Sequence, residues 1–201
     1  MSRLTVEKTS GRPTILVVDV TRDRIGFEHS MTRSICDELR KRAVNLTENS
    51  PVFAADATEY HGAFNSTPTF NCLLLVAHGG RDPDDGTVSK LDGPSGLTDW
   101  YLLAALSEKL QDKFVMLAVC YGYCTDAIAA LAHEDSWVLS LLASQVPLSS
   151  DEAIAFFPGF LEALAAFCPE NIDPVQIQHA LETTNTLSGN KMKLFSQGLP
   201  R

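Results

Sequence analysis

The sequence predicts an α/β fold in which a mostly parallel sheet lies between two layers of helices, as in a three-layer α/β/α sandwich. Several strands are continuous apolar runs, which is typical of strands that are buried on both faces. These runs alternate with helical segments along the chain. The chain has 201 residues, of which 45% are hydrophobic, so it can bury a core without disulfides or metals. We expect residues 1–13 to form an N-terminal arm and residues 14–201 to form one domain.

The first half of the chain supplies two buried strands and two helices. Thr14–Val20 is a β-branched strand, and the following helix, from about Ser30 to Ala43, repeats an apolar residue every four positions. Residues 44–54 have room for a short strand. A short helix near Asp56–Phe64 then leads to a second buried strand, Thr69–Ala77.

The second half continues the alternation after a polar loop at Gly79–Gly96. Ser149 and Glu152 form a capping box that opens a long helix, which Pro158 should kink. The other predicted elements are a helix capped by Thr98 or Asp99, a strand at Phe114–Val119, a helix at Thr125–His133, a strand at Trp137–Ala143, a helix from Pro174 to about Thr184, and a late edge strand at Lys191–Phe195.

Composition argues against several classes of protein. The net charge is −9, so the surface repels nucleic acid and anionic lipid, and neither is expected as a partner. The five cysteines are an odd number and sit mostly in apolar runs, which favours a reduced, cytoplasmic compartment. The sequence has no secretory h-region at its start and no uncharged apolar run of the length that a membrane span needs.

Two residue types that can act together in catalysis follow two of the predicted strands. His78 ends one strand and Cys120 ends the next principal strand. Since parallel strands present their carboxyl ends together, both side chains are expected at one rim of the sheet, where such folds bind ligands. A histidine beside a cysteine favours the nucleophilic thiolate, and the N–H groups near Gly79 and of Cys120 are placed for an oxyanion hole. The alternatives are a loop histidine and a small core cysteine.

The strings LLLVAHGG and FVMLAVCYG, joined by LDGPSGLTDWYLLAALSEKL, resemble the caspase-like fold of clan CD cysteine peptidases, most closely its bacterial CHAT branch. The stretch WVLSLLASQVPLSSDEAIAFFPGFLEALAAF is also similar. The resemblance implies a cysteine endopeptidase in which Cys120 is the nucleophile, His78 is the base, and Gly79 helps to form the oxyanion hole.

The same resemblance implies further properties. The loop after the first strand contributes to the substrate pocket through Asp19, Arg22, Asp23 and Arg24. The substrate is a protein or peptide, no cofactor or metal is required, and an activating regulatory protein is a possible partner. Members of this branch act as effectors in regulated bacterial systems, including antiviral defence.

The sequence departs from that family at Tyr121, where an acidic residue is usual, and at Pro158. One alternative is a non-catalytic interaction module on the same fold. Another is a chelatase, because VAHGGRDP is similar to a metal-binding segment of sirohydrochlorin-type chelatases. The acidic loop Arg81–Gly86 contains no apolar anchor, and we expect it to act as a mobile lid or sensing loop beside His78.

Overall fold

The centre of the molecule is a sheet whose main strands are buried on both faces. The computed structural model describes residues 13–21, 28–67, 69–81, 84, 89–93, 100–133, 136–167 and 172–196. The strands in chain order are β1 Thr14–Asp19, β2 Asn45–Leu46, β3 Val52–Phe53, β4 Cys72–Val76, β5 His78–Arg81, β6 Ser89–Asp92, β7 Phe114–Ala118, β8 Ala132–His133, β9 Ser136–Trp137, β10 Ser140–Ser144 and β11 Met192–Ser196. The helices are α1 Glu28–Lys41, α2 Ala57–Ser66, α3 Tyr101–Ala104, α4 Ser107–Leu110, α5 Thr125–Leu131, α6 Ser150–Phe167 and α7 Pro174–Thr184, which a 3₁₀ turn at Asn185–Ser188 follows.

The sheet order is β11-β10-β7-β4-β1-β2, with β3 also pairing with β1. Every pair in it is parallel except β10 with β11, which is antiparallel. The predicted fold class, α/β with a mostly parallel sheet, is therefore confirmed, as is the late edge strand. Within the ranges given above, no helix combines the length and apolar character that a membrane crossing needs.

Alternate residues of each strand face opposite layers, because side chains alternate along a strand. One layer is α1, α6 and α7, which pack on Ile15, Val17, Leu74, Val76, Met116 and Ala118. The other layer is α2 to α5, which pack on Leu16, Val18, Leu73, Leu75, Val115 and Leu117. This arrangement explains why the strands are uninterrupted apolar runs, since both faces of the sheet lie under helices.

Side-chain caps mark the starts of three helices, α2, α6 and α7. The Asp56 side chain caps α2 by accepting from the Glu59 N–H at 2.9 Å. Asp173 caps α7 in the same way through the Val175 N–H at 2.7 Å. The predicted capping box is also present, because Ser149 N donates to Glu152 Oε2 at 2.8 Å and Glu152 N donates to Ser149 Oγ at 3.3 Å. Helix α6 continues through the buried Pro158 to Phe167.

Several sequence expectations differ from the structure. Trp137, expected to open a strand to Ala143, lies instead in the β8–β9 pair, and β10 begins at Ser140. The single helix expected around Leu103 to Leu110 is two short helices, α3 and α4. The single short strand expected in residues 44–54 is the pair β2 and β3. The polar loop after His78 contains an antiparallel hairpin, β5 with β6, whose HGGR strand has none of the apolar alternation that marks a strand in sequence. The N-terminal arm (apart from Pro13), Thr98, Asp99 and most of the expected lid lie outside the described residues.

Substitution of Phe160 in α6 tests how much the packing of the α1, α6 and α7 layer on β7 contributes to stability. Its fully buried ring stacks on Phe156 at 5.5 Å and lies 5.9 Å from Phe114. We predict that Phe160→Ala lowers the free energy of unfolding by about 3–5 kcal/mol, because it removes a buried ring and leaves a cavity.

Phe167→Ala is the matched control, since this ring lies on the same helix but is 36% exposed. Its expected loss is about 1 kcal/mol or less. Urea denaturation of both variants measures the difference, and equal losses would show that the layer is not packed as described.

Candidate active site

The two residues singled out by the sequence follow two adjacent central strands. Strands β4 and β7 pair in register from Cys72 with Phe114 to Val76 with Ala118. Carried two residues further, the same register would set His78 opposite Cys120. By the alternation of Val76 and Ala118, both positions would fall on the face of the sheet covered by α1 and α6.

Gly79 allows the backbones at the two strand ends to approach each other closely. A Cβ at this position would lie 2.1 Å from the carbonyl oxygen of Cys120 and 2.5 Å from Cγ1 of Val119. No side chain fits at such distances, so this close approach of the backbones requires glycine. Gly80, the next residue, has nothing within 4 Å of the same position.

A cleft of about 250 Å³ lies at this carboxyl-terminal rim of the sheet. His78 and Cys120 both line it, together with the start of α6 and residues from α1 and β1's end. The other lining residues are Thr21, Met31, Ala77, Gly79, Ala118, Val119, Leu148, Ser149, Ser150 and Ala153. His78 is exposed and Cys120 is half-buried, so the thiol is shielded while the imidazole is open to solvent. The first turn of α6 borders the cleft, and the positive end of a helix dipole favours negative charge near it.

The thiol of Cys120 contacts the main chain that leads into α6. The Leu148 N–H donates to Sγ at 3.4 Å, and Sγ lies 3.6 Å from the Leu148 carbonyl oxygen, to which the thiol donates. These contacts fix the sulfur at one wall of the cleft. Burial raises the pKa of the Cys36 thiol to about 11, so this thiol is protonated at neutral pH. Cys168 lies outside the described residues.

The residue after the cysteine has an unusual backbone conformation. Tyr121 has a φ of 58°, in the left-handed region that a bulky residue seldom adopts. The guanidinium of Arg81, at the end of β5, lies 4.7 Å from the centre of the Tyr121 ring, within range of a cation–π contact. This contact joins the hairpin that begins at His78 to the turn that follows Cys120.

Asp19, which the sequence placed in the substrate pocket, is fully buried. Its Oδ1 accepts from the N–H and the hydroxyl of Thr21, at 2.8 Å for the N–H, and its Oδ2 accepts from the Thr32 hydroxyl at 2.7 Å. Asp19 therefore holds Thr21, which lines the cleft, and its own side chain is buried beneath it. Arg22, Asp23 and Arg24 lie outside the described residues.

Lys191, just before β11, supports the site but was not predicted from the sequence. Lys191 Nζ lies 2.5 Å and 2.6 Å from the two carboxylate oxygens of Glu152. The Lys191 hydrogen bond, with those from Ser149, lowers the pKa of Glu152 to about 2. The capping box was visible in the sequence, but nothing in the spacing of the residues indicates that a lysine before β11 pairs with it. No group of three or more His, Cys, Asp or Glu suited to a metal occurs in the part of the chain that the structure describes.

Solved structures with similar folds share little sequence with this chain. The complex of Porphyromonas gingivalis RgpB pro- and mature domains matches with a TM-score of 0.50 and 9% identity, over 96% of this chain and 49% of that one. The Arg-specific cysteine proteinase gingipain R (RgpB) matches with a TM-score of 0.48 and 10% identity, over 94% and 49% of the two chains. A Francisella response regulator 1452 receiver domain matches with a TM-score of 0.40 and 16% identity, over 75% and 96%.

The chain thus spans about half the length of the RgpB chains that it resembles. At such low identity the likeness shows the fold alone, and the match to the RgpB complex agrees with the α/β fold class expected from the sequence. No protein-family model and no curated protein sequence matches the chain.

Gly79→Ala tests the close approach of the two strand ends. We predict that it lowers the free energy of unfolding by about 1–3 kcal/mol, because the added methyl group overlaps the Cys120 carbonyl and forces the strands apart. Gly80→Ala is the matched control and should cost clearly less. Guanidinium denaturation of the two variants provides the comparison, and equal stability would contradict the described contact.

The Glu152–Lys191 pair predicts a pH dependence of stability. Because the folded-state pKa of Glu152 is lowered to about 2, the stabilisation is complete above its unfolded pKa of about 4.3 and is lost as the pH falls toward 2. The difference in free energy of unfolding between the wild type and Glu152→Gln should therefore be constant from about pH 7 to 5 and shrink below that. Urea titrations at pH 7, 5 and 3.5 measure it. A difference that stays the same at all three values would show that the pair does not lower this pKa.

Proposed function

We propose that the chain is a cysteine endopeptidase that cleaves a protein substrate with Cys120 as nucleophile and His78 as general base. The observation that carries the proposal is the cleft at the carboxyl-terminal rim, which both residues line at the ends of adjacent in-register strands. The likeness of the fold to RgpB supports it, since the RgpB structure is described as that of a cysteine proteinase.

In this proposal His78 accepts the thiol proton as Cys120 Sγ attacks the carbonyl carbon of the substrate peptide bond. The oxygen of the tetrahedral intermediate is stabilised by the Cys120 N–H and by the backbone near Gly79. The imidazolium then gives its proton to the departing amine, which leaves a thioester on Cys120. Water, activated by the same imidazole, hydrolyses the thioester and restores the thiol.

Several finer points belong to the same proposal. Residues 22–24 follow Asp19 and are proposed to contribute to the pocket for the residue before the cleaved bond. The resemblance of the sequence to the CHAT branch points to a regulated bacterial effector, with an activating partner protein, a role in antiviral defence and a cytoplasmic location.

One observation favours the alternative of a non-catalytic interaction module. The Cys120 thiol makes hydrogen bonds with both the N–H and the carbonyl of Leu148, as expected of a cysteine that has only a packing role. The two functions differ in the reactivity of this thiol toward an electrophilic peptide, because a packed thiol reacts slowly and a catalytic one reacts selectively.

Cys120→Ala and His78→Gln test the dyad. We predict no measurable cleavage by Cys120→Ala and a fall in kcat/KM of about 10²–10⁴-fold for His78→Gln, because general-base catalysis contributes about that much. Mapping of the new N-termini that the wild type produces in a mixture of bacterial proteins measures the activity and identifies the substrates.

Cys124→Ala is the matched control, since it removes a half-buried thiol from the same loop and should retain cleavage. Equal loss of activity in the Cys124 and Cys120 variants would show that Cys120 is not the sole nucleophile. Slow, unselective labelling of Cys120 in the wild type, with no cleavage of any protein, would favour the interaction module.

A further inference from the structure

Part of the cleft wall is a short connection between β10 and α6, residues 145–149. This connection touches both Cys120 and the residue after it. Leu148 offers its N–H to Sγ at 3.4 Å, and the Val146 carbonyl accepts the Tyr121 N–H at 3.4 Å. The position of residues 145–149 therefore determines what surrounds the sulfur.

Residues 145–149 form no helix or strand, so other parts of the chain must hold them in place. At the start, the Ser144 hydroxyl donates to the Val146 carbonyl at 2.8 Å, and the Gln145 N–H donates to the Lys191 carbonyl at 3.4 Å. At the end, the N–H and the hydroxyl of Ser149 donate to Glu152 Oε2 at 2.8 Å and 2.9 Å.

Lys191 contacts both anchors. Its carbonyl oxygen takes part in the first, and its ammonium group binds both carboxylate oxygens of Glu152 in the second. The side chains of Lys191 and Glu152 are only 28% and 27% exposed, so solvent screens this pair less than it screens an ordinary surface pair. A residue just before the last strand thus holds the connection beside the thiol at both of its ends.

We propose that Lys191 is a positioning residue for the nucleophile, acting through Glu152 and residues 145–149 to hold the Leu148 N–H on Cys120 Sγ. The inference rests on the proposed use of Cys120 as a nucleophile. A hydrogen bond from an N–H to a thiolate is charge-assisted, whereas the bond from the thiol to the Leu148 carbonyl is between neutral groups and is weaker. Holding Leu148 in place therefore favours the thiolate, which is the form that attacks.

The test follows the alkylation of Cys120 by iodoacetamide in the purified full chain, read peptide by peptide by mass spectrometry from pH 5 to 9. Cys124 of the same molecule serves as an internal reference. We expect Lys191→Met to slow the alkylation of Cys120 at pH 7 by about tenfold, because a hydrogen bond to a charged group is lost or weakened. The pH of half-maximal rate should move upward for Cys120, while the rate at Cys124 should not change.

Three variants complete the design. Lys191→Arg keeps the charge and should restore the rate to within about threefold. Lys193→Met changes an exposed lysine two residues further along, in β11, and should leave the rate unchanged. Glu152→Gln keeps an oxygen acceptor for Ser149 but loses the charge that Lys191 binds, so it should reproduce the effect of Lys191→Met. Combining the two changes should add little to either.

A wild-type rate and pH profile at Cys120 in a folded Lys191→Met protein would overturn the inference. Parallel changes at Cys120 and Cys124 would overturn it as well, because they indicate general loosening rather than positioning. Where Lys191→Met does not fold, Glu152→Gln decides in the same way. Cleavage of peptides by the wild type is measured alongside. If the wild type cleaves nothing but Lys191→Met still slows the alkylation of Cys120, the positioning role is supported and the proposed function is contradicted.

Discussion

The pairing of β4 with β7 is the constraint on which the candidate site depends. Each strand is buried on both faces, so a shift of one residue would exchange the side chains that face the two helical layers and disrupt their packing. Packing in the core therefore sets the register, and the register determines which residues meet at the carboxyl-terminal rim of the sheet. His78 and Cys120 share a cleft because ten buried residues behind them pair in a single register. Gly79 completes the arrangement, since any side chain there would force the two strand ends apart.

The sequence was most informative where burial dictates residue type. Continuous apolar runs predicted β1, β4, β7 and β10 because strands covered on both faces admit little else, and the placement of His78 and Cys120 at one rim followed from parallel topology. The capping box of Ser149 and Glu152 was equally visible, since it needs particular side chains at particular positions. These elements share one property: a local pattern is enough to specify them.

Features that depend on contacts between distant segments were not predictable in the same way. The β5–β6 hairpin is built from small and polar residues whose pairing comes from the backbone, so no periodicity marks it. The resemblance implied a pocket role for Asp19, but its hydrogen bonds to Thr21 and Thr32, which bury the carboxylate, could not be read from the sequence. Lys191 gave no signal at all, because an ion pair with Glu152 exists only once the last strand has joined the sheet.

The position of β11 late in the sequence has a consequence for the order of folding. A ribosome releases the chain from its N-terminus, and β1, β4 and β7 can pair before β11 has been synthesised. During that interval residues 145–149 lack both of their contacts with Lys191, so the wall beside Cys120 is still loose. In a nascent chain the contacts that hold residues 145–149 beside the thiol would thus be incomplete. They would form only when β11 docks on β10.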